Sequence, residues 1–244
     1  MGRRRRPLTA AALAALLAAA PAAAGTLSGQ VVFRGAPPAL PAVAVTKDRE
    51  ACGEALPAEA LVVGPAGGVR HAVAFLEGVP APAAGPPAEA TLENRRCRFV
   101  PHVLALRTGA ELAVVNADPV LHNLRGWLEQ RGVFNIVQST QGQVSRRTIK
   151  RAGVIRLSCD AHPHMHGWLL AFEHPYFAVT DAGGRFTLRD VPAGAHRLAV
   201  WHQGWRVVRR DEHGRLTYDA PRVVAQDVTV PAAGAVRVAV ELGE

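Results

Sequence analysis

The segment Cys159-Asp160-Ala161-His162-Pro163-His164-Met165 places a thiol, two imidazoles and a thioether within seven residues, directly after an apolar run over 154–158. A third histidine, His122, stands with Asn123 at the end of a loop that follows another apolar run, over 112–115. Sulfur and imidazole donors together form a soft ligand set of the kind transition metals favour. A hydrolase needs other parts: no serine nucleophile motif and no pair of carboxylates in a recognisable frame stands in the chain. We read the protein as a non-enzyme. Taken singly, Cys159 also reads as an apolar core filler, His122 as a satisfied loop histidine and Met165 as core packing.

Cysteine number adds weight to the metal reading. The chain has three cysteines, Cys52, Cys97 and Cys159, and an oxidising compartment tends to pair exposed thiols, so an odd one needs a reason to persist. Metal ligation is such a reason, because a bound ion keeps the sulfur deprotonated and out of disulfide exchange. The N-terminus points to that compartment. Arg3 to Arg6 precede an Ala/Leu-rich stretch over 9–20 and then Pro21-Ala22-Ala23-Ala24-Gly25, the order of a secretory signal with cleavage expected after Ala24. The alternative, a retained anchor, fits a short alanine-rich stretch less well. We expect a periplasmic protein with no stable membrane insertion after cleavage; the choice between general and twin-arginine export stays open. Formal charge falls from +8 to +4 with the four signal arginines, and the remaining basic residues form no nucleic-acid stripe.

The elements that must position these side chains read as strands. Short alternating runs bounded by Gly, Pro, Asn and Asp lie over 27–33, 72–76, 103–106, 112–115, 154–158 and 185–188, and no amphipathic helical run of useful length follows the signal. An all-β sandwich architecture is the expectation. Two Pro/Ala/Gly-rich stretches, 35–41 and 79–87, read as loops or linkers.

Residues 98–123, R-F-V-P-H-V-L-A-L-R-T-G-A-E-L-A-V-V-N-A-D-P-V-L-H-N, together with the loop from Cys159, resemble the cupredoxin family, and the loop is most similar to the amicyanin type, C-x-x-H-P-x-M. The resemblance covers residues 97–175. It implies a Greek-key sandwich holding one copper ion through His122, Cys159, His162 and Met165, with Asn123 tying the two loops together, and an association with methylamine utilisation. Two imidazoles, a thiolate and a long thioether contact suit both copper oxidation states without ligand exchange, and Pro163 stiffens the loop. Asp160 stands where the family often has Ser or Thr. His162 is expected near the surface as the electron exit. His164 and His166 read as solvated, or as further nitrogens for metal; His102 reads as structural or exposed, and Trp168 as core or as part of an apolar docking rim.

Thr180-Asp181-Ala182-Gly183-Gly184-Arg185-Phe186-Thr187-Leu188 followed by Pro192-Ala193-Gly194 reads as a hairpin and then a Pro-Gly turn between strands, and it resembles the carboxypeptidase regulatory-like family of transthyretin-like, Ig-like sandwiches, the stretches 25–32 and 69–76 being similar to its earlier strands. The expected organisation is a signal peptide over 1–24, an outer sandwich over 25–85 and 176–244, and a cupredoxin domain over 90–175 inserted into it, a join that close chain ends permit. A disulfide between Cys52 and Cys97 is expected to staple the two. The leading function is electron transfer with an unidentified redox partner protein. The rivals are a copper storage or delivery protein and a metal-free structural sandwich.

Overall fold

The computed structural model describes residues 24–81, 85–212 and 214–243; the signal segment expected over 1–24 falls almost wholly outside them. The described chain is all-β, its only helical pieces being Arg49–Cys52 and the 3-10 turn Pro65–Gly67. Both ends of the chain build one sandwich. Ala24–Phe33 lies between Arg185–Pro192, antiparallel, and Ala235–Leu242, parallel. Its alternating burial turns Leu27, Val31 and Phe33 inward. Gly29 leaves room there for the Phe186 ring, whose atoms would stand 2.5 Å from any Cβ. The facing sheet runs Phe177–Val179, Val73–Glu77, Gly194–His202, Arg222–Val230, and Leu76, Leu198, Val200 and Trp205 fill the space between.

Residues 90–172 build two further sheets. One runs Val144–Thr148, Glu111–Asn116, Ala90–Arg95, Arg98–Val100; the other runs Arg131–Gln138, His122–Leu128, Gly153–Ser158, His166–Phe172, Val103–Arg107. Leu92, Phe99, Leu112, Val114, Leu124, Leu157 and Leu169 form their core, and Cys159 and Met165 belong to it. A third apolar cluster, Val73, Val103, Leu170 and Trp201 with Phe75, Trp168 and Phe172 packed on it, joins the two bodies.

Three local expectations are corrected. The run over 69–76 is not one strand: His71 has φ 67°, which splits it into Val69–Arg70 and Val73–Glu77 in different sheets. The segments on either side of the Thr180 and Pro192 turns are not paired hairpins, because each turn carries the chain from one sheet to the other. Thr180 pins the first corner by donating to Val69 O at 2.7 Å and accepting from Ala72 N at 3.0 Å, while Asp181 Oδ1 accepts from the amides of Gly183 and Arg185. Trp168 is not a docking rim but part of the apolar packing. It packs edge-on against Trp201, with ring centroids 5.3 Å apart, at the joint between sandwiches.

Candidate metal centre

His122 begins the strand His122–Leu128, and the loop before it is shaped by Asn116, whose amide donates to Val120 O and Thr140 O and whose oxygen accepts from Asp118 N. That loop aims Asp118 inward. Its carboxylate accepts from the amides of Arg96 (2.6 Å) and Cys97 (2.8 Å) and from His122 Nε2 (3.0 Å). With Nε2 donating to the carboxylate, His122 Nδ1 is left buried and without a partner. A buried polar atom of this kind is costly unless something binds it.

The strand Gly153–Ser158 runs straight into Cys159, and a turn closed by Met165 N donating to His162 O (3.0 Å) folds the loop back. His162 Nδ1 lies 3.7 Å from Cys159 Sγ. Its Nε2 meets Asp48 Oδ2 at 2.9 Å. Ligand atoms of His122, Cys159 and His162 all stand within 4.8 Å of one another, and none of the three residues is exposed. Met165 is buried in the same core cluster as Cys159. Each histidine thus turns one nitrogen to the sulfur and gives the other to a carboxylate, the arrangement that fixes tautomer and ring orientation at a metal.

Electrostatics prepare the sulfur. Burial pushes the Cys159 thiol up, but the His122 and His162 side chains beside it and the amides of Asn123 and His162 outweigh that and bring it to about 6. Burial pushes His122 down; Asp118 and Cys159 overcome it and raise the imidazole to about 8. At neutral pH the site therefore already holds a thiolate, the form that binds metal.

Asn123 joins the two loops. Its Oδ1 accepts from Asp160 N at 2.7 Å, its Nδ2 donates to Asn135 Oδ1 (2.9 Å) and Asp160 Oδ2 (3.1 Å), and its backbone N–H points at Cys159 Sγ, 3.5 Å away. Asp160 takes a full part in this network, its carboxylate also accepting from Arg125 Nη1 at 3.1 Å.

Two residues far away in sequence complete the surround. Residues 43–56 form a strap, a two-residue ladder of Val43–Ala44 with Ala55–Leu56 whose loop carries the Arg49–Cys52 helix. Asp48 stands at that helix's N-terminus with φ 52° and makes no side-chain cap, so its carboxylate is free to reach His162. The Cys52–Cys97 disulfide, Cα–Cα 5.3 Å, fastens the strap to the module. From the other side, Arg215, beside the strand Leu216–Tyr218, donates from Nη2 to Cys159 O at 3.2 Å.

Several expected roles change accordingly. His162 is not at the surface: it is fully buried under Asp48. His164 and His166 are not solvated. His164 is buried, donates Nε2 to Cys97 O at 3.1 Å, and is held to about 4 by burial and by His162. His166 bonds His164 O and packs against Tyr218 and His102. His102 is structural, paired with Gln203 Oε1 at 3.2 Å. The sequence reading gave Asp118, Asp48 and Arg215 no role; of these only Asp118 had a local signal, two residues after Asn116 in the quoted stretch.

No family model matches the chain, and no curated protein matches it. Among solved structures it is similar to a copper-containing nitrite reductase from Thermus scotoductus, at 24% identity over 39% of this chain and 25% of that one, TM-score 0.32. It is also similar to a purple cupredoxin from Nitrosopumilus maritimus, at 18% identity over 34% of this chain and 99% of that one, TM-score 0.29. A third likeness is to an amicyanin variant in its reduced state, at 15% identity over 40% of this chain and 97% of that one, TM-score 0.31. The chain thus spans about a quarter of the reductase's length.

Proposed function

We propose that this protein is an exported, periplasmic copper-binding electron-transfer protein whose ion is held by His122, Cys159, His162 and Met165. The observation that carries the reading is the buried pole itself, where a lone cysteine sulfur meets two imidazoles, each anchored by a carboxylate, one with an orphaned Nδ1. The donor set fits copper: thiolate, thioether and imidazole together accommodate both oxidation states. Copper bound there supplies one-electron chemistry. The residues supply rigidity. Asp118 and Asp48 hold the rings, Asn123 locks the Cys loop to the His loop, and burial of all three donors excludes water. Residues so fixed need not move when charge changes, which keeps electron transfer fast. The signal-like N-terminus and the Cys52–Cys97 disulfide support an oxidising compartment, and a redox partner protein is implied.

One observation favours copper holding or delivery as a second reading: the strap covers His162, which keeps that ligand edge from solvent. Loading the mature chain with Cu(II) separates them. Electron transfer expects an intense visible thiolate charge-transfer band and a reversible potential, both lost in Cys159→Ser. A colourless complex that takes only Cu(I) supports holding, and an unchanged band in Cys159→Ser removes that sulfur from the site.

A further inference from the structure

The Cys52–Cys97 disulfide does more than fasten the strap, because it lies against the metal centre. Both sulfurs and a ring nitrogen of His162 stand within 4.8 Å of one another, and all three residues are buried. Cys97 is also within 4.8 Å of Asp118 and His122 through their ligand atoms. His162 therefore belongs to two donor groups, one with Cys159 and one with the paired cysteines. A strap needs no such placement, since a disulfide elsewhere along 43–56 would hold it equally well.

We propose that the reduced Cys52–Cys97 pair, with His162, is a second copper site specific for Cu(I), a loading site beside the Cys159 centre. This rests on the reading of Cys159 as a copper ligand only for its role in loading; the site itself stands on its own donors. The redox step is thiol–disulfide exchange: a dithiol reductant gives two electrons and two protons to the S–S bond, leaving two thiols here and a disulfide on the reductant. Cu(I) then displaces the two thiol protons to solvent with no change in its own oxidation state. Thiolates are the soft donors that select Cu(I).

The surroundings suit this step. The two-residue ladder and the bond from Val45 N to Glu54 O at 3.0 Å are internal to the strap, and Asp48 ties it to His162 through a side-chain bond. Reduction removes its disulfide tie to the module and leaves Val45 and Cys52, with the partly buried Ala51 and Leu56, as its apolar anchors in the core. A small cavity lined by Val43, Leu56, Glu59, His164, Met165 and His166 lies at its base. Because His162 is shared, an ion can pass from the dithiol to Cys159 without entering solvent.

The test uses the full mature chain as Cys159→Ser, which removes the first centre. The protein is reduced with a phosphine, and Cu(I) binding is measured anaerobically by competition with a chromophoric Cu(I) chelator. One tight Cu(I) per chain is expected in the reduced form and none in the disulfide form, with affinity falling about tenfold or more when His162→Gln is added. A reduced protein that binds no better than the oxidised one overturns the proposal, as does an unchanged affinity in His162→Gln. Folding of the variants is bypassed by a second measurement on the reduced parent, where Cu(I) is expected to slow iodoacetamide alkylation of Cys52 and Cys97 about tenfold or more. Unslowed alkylation overturns the proposal too. A parent with its Cu(II) band intact but no dithiol site loses only this inference; a working dithiol site in a parent that lacks the band loses only the electron-transfer reading.

Discussion

Replacing Asn123 by Ala tests whether the two loops act as one unit. The side chain donates to Asn135 and to the Asp160 carboxylate and accepts from Asp160 N at 2.7 Å. A neutral hydrogen bond contributes about 1 kcal/mol net and one to a carboxylate at least about 1.5. Asp160 is exposed, so the lower figure applies to it, and the three together come to about 3 kcal/mol. Against a total stability of about 5–15 kcal/mol, the variant stays folded. With a urea m-value near 3 kcal/mol/M, its midpoint falls by roughly 1 M. The functional consequence is larger than that. Cys159 and His162 sit on the freed loop while His122 stays on its strand, so copper affinity is expected to drop about 10–100-fold, the usual effect of losing a partner around a metal. Competition titration of the loaded protein and the position of its thiolate band are the readouts. A lowered urea midpoint with parental affinity and an unmoved band would refute the coupling and leave Asn123 as a plain structural residue.

Asp48→Ala uncovers His162 Nε2, now bonded at 2.9 Å; stopped-flow reduction of the Cu(II) form by ascorbate should run several-fold faster, with copper affinity about tenfold weaker. Arg215→Ala removes a cationic donor from Cys159 O, which should lower the potential measured by voltammetry, since the cation favours the less positive, reduced centre; a differential of about 1 kcal/mol corresponds to about 40 mV. Acid should loosen the joint between sandwiches. Burial holds His71 and His202 at about 4 and His102 well below 6.5. The unfolded chain therefore binds more protons between pH 6.5 and about 4, so stability is full above 6.5 and falls across that window, by roughly 3 kcal/mol for the first imidazole forced to charge. Urea midpoints at pH 7.5, 6 and 5 read this, and His202→Asn should flatten the slope.

Much of the site was legible because its donors are local. Cys159, His162 and Met165 share one loop, and Asn123 adjoins His122, so their spacing survives without knowledge of the fold. Alternation likewise located strands over 27–33, 103–106, 112–115, 154–158 and 185–188, but missed others, His122–Leu128, His166–Phe172 and Ala235–Leu242 among them. It cannot say which sheet a strand joins, and so Phe177–Val179 and Arg185–Pro192, adjacent in sequence, separate at the Thr180 corner. Asp48 and Arg215 were illegible for another reason. They lie 114 and 56 residues from the groups they bond, and in sequence each is one charge among many on a polar segment. His164 and His166 misled in the opposite sense: a histidine-rich loop reads as wet, but Cys97 O and the Tyr218 ring lie where solvent was expected.

These distant partners bear on what the functional unit is. A piece cut to residues 90–175 keeps all four proposed copper ligands, Asn123 and Asp118. It loses the Asp48 carboxylate on His162, the Cys52 half of the disulfide and the Arg215 donor to Cys159 O. It also bares Val103, Leu170 and Trp168, which now pack against Val73 and Trp201, an apolar face that invites association. The excised piece should therefore bind copper more weakly than the whole chain and with His162 open to water, and adding back soluble outer sandwich should not restore affinity, because the strap is tied covalently through Cys52. Parental affinity and potential in the excised piece would mean that the outer sandwich only carries the metal centre; the bonds from Asp48 and Arg215 argue that it tunes it.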